Sequence, residues 1–163
     1  MASGDSLAEW TAVCGELATA PTASFNLINN QVLIDFDATT DEGVYFSGIM
    51  PNNYAGGGVT LLLIWTTASG TTGNCAWTAA FERQVSGAVI ASDNFGTPNT
   101  VFAGAPILVN SITYTSITFT DGAQMMFLGG GERFRILITR DANHASDTMT
   151  GDARLLHVGM RET

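Results

Sequence analysis

Lysine is absent from this chain of 163 residues, and its cationic side chains are six arginines. With no side-chain amine there is no Schiff-base or lysine-nucleophile chemistry. The arginines (Arg83, Arg133, Arg135, Arg140, Arg154 and Arg161) form no basic cluster, and 15 acids outweigh them to a net charge of −9. Such a chain repels phosphate backbones and anionic lipid, so neither nucleic acid nor membrane is an expected partner. Charge of either sign is scarce, at 13% of residues against about 25% in an average soluble domain. Two explanations stand open. Either Thr, Ser, Asn and Gly cover the solvent face, or a partner covers part of the surface, where charge is depleted.

Cysteine and histidine are nearly missing too. Cys14 and Cys75 form no Cys-x-x-Cys pair and make no disulfide framework, so free, partly buried thiols are expected. His157 lies between Leu156 and Val158 in an apolar run, where an imidazole is a surface or hydrogen-bonded group rather than a base. His144 shares a loop with serine and aspartate, but no Gly-x-Ser-x-Gly elbow accompanies it. With so few groups able to move a proton or attack, an enzyme is not expected. Long apolar runs are lacking as well. The stretch from Val59 to Trp65, broken by Thr60, is far short of a bilayer span. The first ten residues lack the basic and apolar regions of a secretion signal. A soluble protein made in a cytoplasm is the expectation.

Two glycine triplets, Gly56–Gly58 and Gly129–Gly131, are not followed by Lys-Ser/Thr and open no helix, so they read as turns rather than phosphate cradles. Acids gather in two loops: Asp35, Asp37, Asp41 and Glu42, then Asp141, Asp147 and Asp152. Calcium needs several oxygens converging on one point, which either loop offers. Neither has EF-hand spacing, and short acids also populate turns because they cap them. No cofactor is expected, with calcium the open alternative. A sugar-binding face needs exposed aromatics, for which Trp10, Trp65, Trp77, Tyr45, Tyr54 and Tyr114 are available. Trp65 and Trp77 lie in apolar strands and are expected in the core. Tyr54, beside the first glycine triplet, is expected to be exposed.

What the chain has in abundance is β-forming sequence punctuated by small-residue turns. Residues 54–81 carry no titratable acid, lysine, arginine or histidine and read as two tryptophan-bearing strands, Val59–Thr67 and Asn74–Val85, joined as a hairpin. Further strands are expected at Phe25–Ile28 and Val32–Phe36 around an Asn29-Asn30 turn, then at Val44–Met50, Ile112–Thr120, Phe134–Ile138 and Ala153–Met160. Ile107–Val109 is a short strand or the lead-in to the next one, and residues 86–104 read as a polar excursion. Leu7, Trp10, Val13, Cys14 and Leu17 recur at helical spacing, with Ser6 and Glu9 as a capping box. Residues 1–23 are therefore expected to form an arm, helical or a tether, ahead of one domain spanning 24–163. The fold class is an all-β, antiparallel jelly-roll sandwich of eight to nine strands.

Several stretches resemble small jelly-roll proteins of tailed bacteriophages, the decoration or cement proteins and related head or tail appendages. They are Tyr54-Ala-Gly-Gly-Gly-Val-Thr-Leu leading to Ile64-Trp65, Gly73-Asn-Cys-Ala-Trp-Thr-Ala-Ala-Phe-Glu-Arg, Gly129-Gly-Gly-Glu-Arg-Phe-Arg-Ile-Leu-Ile-Thr-Arg-Asp, and Gly151-Asp-Ala-Arg-Leu-Leu-His-Val. The resemblance covers roughly residues 25–162. It implies a homotrimer on the capsid surface that binds the major capsid protein and stiffens the shell, and it marks no site. On that reading Leu7 and Trp10 are the interface residues of the arm. Arg133, Arg135 and Arg154 would pair with acids on a neighbour. The alternative is a carbohydrate- or receptor-binding module of a phage tail or fibre.

Overall fold

In the computed structural model, which describes residues 4–163, the period-two alternation becomes two antiparallel sheets packed face to face. The strands are β1 (Ser6–Thr11), β2 (Glu16–Leu17), β3 (Ser24–Ile28), β4 (Gln31–Phe36), β5 (Glu42–Ile49) and β6 (Val59–Thr67). They continue with β7 (Asn74–Gln84), β8 (Asn99–Gly104), β9 (Thr113–Phe119), β10 (Arg133–Arg140) and β11 (Ala153–Glu162). One sheet runs β3-β4-β11-β6-β9, with β1 added beside β11; the other runs β2-β5-β10-β7-β8. This is the expected jelly-roll sandwich, with β1, β2 and β8 added to the anticipated strands. Among the described residues no helix is long and apolar enough to cross a membrane.

Three local expectations are corrected. The two tryptophan strands are not a hairpin: β6 pairs with β11 and β9 in the first sheet, while β7 pairs with β10 and β8 in the second. Their small-residue connector is an arch between sheets, which stand about 10 Å apart in such sandwiches. Gly73 closes the arch at φ +86°, and a Cβ there would lie 2.5 Å from the Thr148 carbonyl oxygen. Trp65 and Trp77 then meet across the core at 5.6 Å, edge to face, as befits two residues on facing sheets.

The N-terminal helix is also not formed, and residues 6–17 belong to the sandwich. β1 pairs with β11 through Ala8↔Met160 and Trp10↔Val158. A bulge between Ser6 and Ala8 puts Leu7 and Trp10, three residues apart, on one buried face. That bulge is why a strand carries helical spacing. Finally, Ile107–Val109 is the lead-in to β9 rather than a strand, and β8 lies inside the stretch read as a polar excursion. Its alternation of Thr100, Phe102 and Gly104 with Val101 and Ala103 is short and weakly apolar, so periodicity understates it.

The Asn29-Asn30 hairpin forms as expected, both residues at positive φ (48° and 63°) between β3 and β4. The core is aromatic: Phe36 packs on Trp77 at 5.1 Å and Phe81 on Phe119 at 4.9 Å. Trp65 donates its indole N–H to Thr115 Oγ1 (2.9 Å), so the buried ring keeps its polar edge satisfied.

Candidate functional site

The second sheet carries the site, on the face turned away from the core. Strand alternation puts Tyr45 and Ser47 of β5 there, with Arg133, Arg135, Leu137 and Thr139 of β10 and Thr78, Ala80 and Glu82 of β7. Register sets the rows across it: Leu137 lies between Tyr45 and Ala80, and Arg135 between Ser47 and Glu82. Small side chains in the β7 rows leave a groove of about 390 Å³. Its floor is Thr78, Ala80, Leu137 and Thr139, and Phe95 and Pro98 wall one side. That volume falls at the lower end of ordinary ligand sites, about 300–1,000 Å³.

Phe95 comes from the β7–β8 loop, which folds back as a strap across the sheet. Gly96 N–H donates to the Phe81 carbonyl (2.8 Å), and a Cβ at Gly96 would meet the Gln124 carbonyl at 2.8 Å, so the strap passes close to the backbone. Farther along the strap, Asn94 N–H donates to Glu82 (2.8 Å) and the Tyr45 hydroxyl donates to Asp93 (3.2 Å). Arg135 is the hub: Nε donates to Glu82 (2.7 Å), Nη2 to Asp93 (2.7 Å), and the guanidinium lies 5.0 Å from the Tyr45 ring and 5.6 Å from that of Phe95. Tyr45 and Phe95 stack at 5.9 Å. Burial and the Asp93 charge push the Tyr45 hydroxyl above its ordinary value, keeping it a neutral donor. Phe95 is thereby fixed in place before any ligand arrives.

Two carboxylates line the same groove, Asp41 and Asp141. They lie 100 positions apart, but pairing of Glu42 with Arg140 brings their backbones to one end of the sheet. Asp41 accepts the Asn143 N–H (2.9 Å), while the Asp141 carboxylate has no hydrogen-bond partner among the described residues. The loop carrying Asp141 is held by a buried ion pair. Arg140 donates to Asp147 through Nε (3.0 Å) and Nη2 (2.9 Å), and to the Met149 and Gly151 carbonyls (2.7 Å each). The same loop carries His144, whose ring lies 4.8 Å from that of half-exposed Phe102. Its Nδ1 accepts the Ser146 N–H (3.0 Å), which leaves the neutral ring's proton on Nε2 as a donor. Phe102 pairs with Ala76 and Thr100 with Thr78, so the Phe102–His144 pair stands one row beyond Thr78 of the groove floor.

Of the residues anticipated from sequence, Leu7 and Trp10 are not available as an interface. They are 9% and 8% exposed, and Trp10 packs on Phe46 and Phe134 while donating its indole N–H to the Ser47 carbonyl (3.0 Å). Arg133 and Arg135 share the outer face of the second sheet, with Arg135 paired within the chain. Arg154 lies on the first sheet, 3.2 Å from Asp35, and donates to Asn110 (3.1 Å). The three arginines do not form one surface.

The acids of the two loops are largely engaged in turns and ion pairs. Asp37 accepts from the backbone and hydroxyl of Thr39 (2.7 Å each), and no group of three metal-ligating side chains converges among the described residues. Tyr54 is not exposed but half-buried, accepting the Gly58 N–H (3.0 Å). His157 lies on the outer face of the first sheet, 3.9 Å from Glu9. Phe95 and Phe102 were missed. The available signal was a phenylalanine set among Asn94, Gly96 and Pro98, with no apolar neighbours to bury it.

No protein-family model matches the chain, and no curated protein matches it. Solved structures resemble it in shape. The xylan-binding module CBM15 superposes with a TM-score of 0.55 at 11% identity, over 96% of this chain and 97% of that one. The CBM22-1 xylan-binding domain of Paenibacillus barcinonensis Xyn10C does so at 0.53 and 8% identity, over 98% and 95%. The exo-β-1,3-galactanase of Phanerochaete chrysosporium, solved with galactose, gives 0.58 at 12% identity over 96% of this chain, which spans only 29% of that enzyme. At such identities the likeness establishes the fold, a jelly-roll β-sandwich of the kind seen in carbohydrate-binding modules.

Proposed function

We propose that this chain is a non-catalytic carbohydrate-binding domain whose site is the groove on the outer face of the second sheet. The observation that carries the reading is the groove itself. A floor of short side chains admits a flat ligand, and the prepositioned Phe95 ring offers an apolar wall for sugar C–H groups. For sugar hydroxyls, Asp141 supplies an acceptor and Thr78 and Thr139 supply hydroxyls. The fold it shares with xylan-binding modules supports this reading. The non-catalytic part of the reading rests on the shared fold, since xylan-binding modules superpose on nearly the whole chain. A hydrolysis assay on soluble xylan and β-1,3-galactan tests that part: release of reducing sugar would assign the Asp41 and Asp141 pair to turnover. Affinity electrophoresis through gels containing the same polymers tests binding. At least one polymer should retard the protein, and Phe95→Ala should weaken that retardation roughly tenfold while lowering the thermal midpoint by only a few degrees, the loss of its packing on Tyr45. Migration indifferent to both polymers overturns the reading.

A second reading, a virion structural subunit that binds the major capsid protein as a homotrimer, requires a protein-interaction face, and one exposed apolar stretch offers it. Ile107, Leu108, Val109, Ile112 and Tyr114 are 43–85% exposed within eight positions. Exposed apolar side chains at this density suit a protein-interaction face. Sedimentation equilibrium decides that part: a trimer supports it, and a strictly monomeric 17.1 kDa species at high concentration counts against it.

A further inference from the structure

We infer that the groove selects uncharged sugar chains and rejects those carrying carboxylate or sulfate groups. The inference rests on the reading of the groove as a carbohydrate site, and deepens it to a ligand class. Its two charged lining residues are both anionic, Asp41 and Asp141. No arginine lines it, and the guanidinium nearest to Phe95 is already closed by Glu82 and Asp93. Arg140, one residue from Asp141, faces the other way and is consumed by Asp147 and two carbonyls. An acidic sugar seated against Phe95 would therefore bring its charge beside two carboxylates, with no unpaired cation lining the groove among the described residues, on a molecule already at −9. Like charges at contact distance in a half-buried groove repel by more than they do in bulk water. A neutral chain meets the same carboxylates as hydroxyl acceptors, which are stronger than neutral ones. Selection thus comes from repulsion of the wrong ligand as much as attraction of the right one.

The test uses xylan and β-1,3-galactan, each unmodified, hydroxyethylated, and carboxymethylated to the same degree, so that substituent bulk is matched and only charge differs. At low salt the hydroxyethyl form should bind at least about tenfold more tightly than the carboxymethyl form. The gap should narrow as salt shortens the screening length, and narrow again in Asp141→Asn, whose side chain has no fold-holding hydrogen bond to lose. Equal binding of the two derivatives overturns this inference and leaves carbohydrate binding standing. Absence of binding to every form overturns both.

Discussion

Arg140 shows how much a single buried charge does here. It is fully buried, yet Asp147 and two carbonyls satisfy its guanidinium, and Asp147 in turn accepts the Ala76 N–H (2.9 Å). Removing one partner strands the other in a low-dielectric interior, which costs about 3–5 kcal/mol. Arg140→Met and Asp147→Asn are each expected to lower the urea midpoint by that equivalent. The cysteines respond oppositely to a thiol probe. Burial pushes the Cys75 thiol well above its ordinary value, whereas Cys14 is exposed. Native protein should therefore react with one equivalent of a thiol reagent such as DTNB, and urea-unfolded protein with two. Histidine and acid positions were legible as candidates in the sequence, but their duties were not. Asp147 reads like Asp141 in a loop of acids, and only the fold gives one to a buried arginine and the other to an open groove.

At the scale of elements, β1 is the instructive case. Its leucine and tryptophan repeat at three because a bulge shifts the register, and periodicity alone does not tell that from a helix turn. The two placements of Trp10 predict different measurements. As a core residue stapling β1 to the second sheet, Trp10→Ala should cost about 3–5 kcal/mol of folding stability. A free anchor would leave stability unchanged. The strap gives a second test. Arg135 does not itself line the groove, but it packs behind the Phe95 wall and holds the strap, so it positions rather than binds. Arg135→Gln should weaken retardation by glycan gels about as much as Phe95→Ala does, and amide hydrogen exchange should be faster across residues 86–98. Loss of folding stability without change in binding would assign Arg135 a purely structural role.

Over the whole molecule, stability on the acid side follows from which carboxylates the fold favours as anions. Asp37, through its bonds from Thr39, and Glu132, through the Arg83 guanidinium (Nε to Oε2, 2.6 Å), are held below their ordinary values. Their contribution is complete above the unfolded carboxylate range, near pH 4, and is lost as pH falls through their lower folded values. Glu42 works the other way, because burial raises it; its protonation eases folding as pH drops. The urea midpoint should thus fall between pH 5 and pH 3, and Glu132→Gln should flatten that fall. A pH-independent midpoint would contradict it.

Composition and alternation alone determined that this chain folds as a two-sheet, all-β sandwich with Trp65 and Trp77 inside, because burying one face of each strand demands a partner sheet. Only the tertiary structure decided which strands are neighbours: the arch that separates β6 from β7, and the register that sets Asp41 beside Asp141, are contacts between distant residues that no local pattern records. The groove is built from those long-range pairings, and so its chemistry becomes visible only once the sheets are assembled.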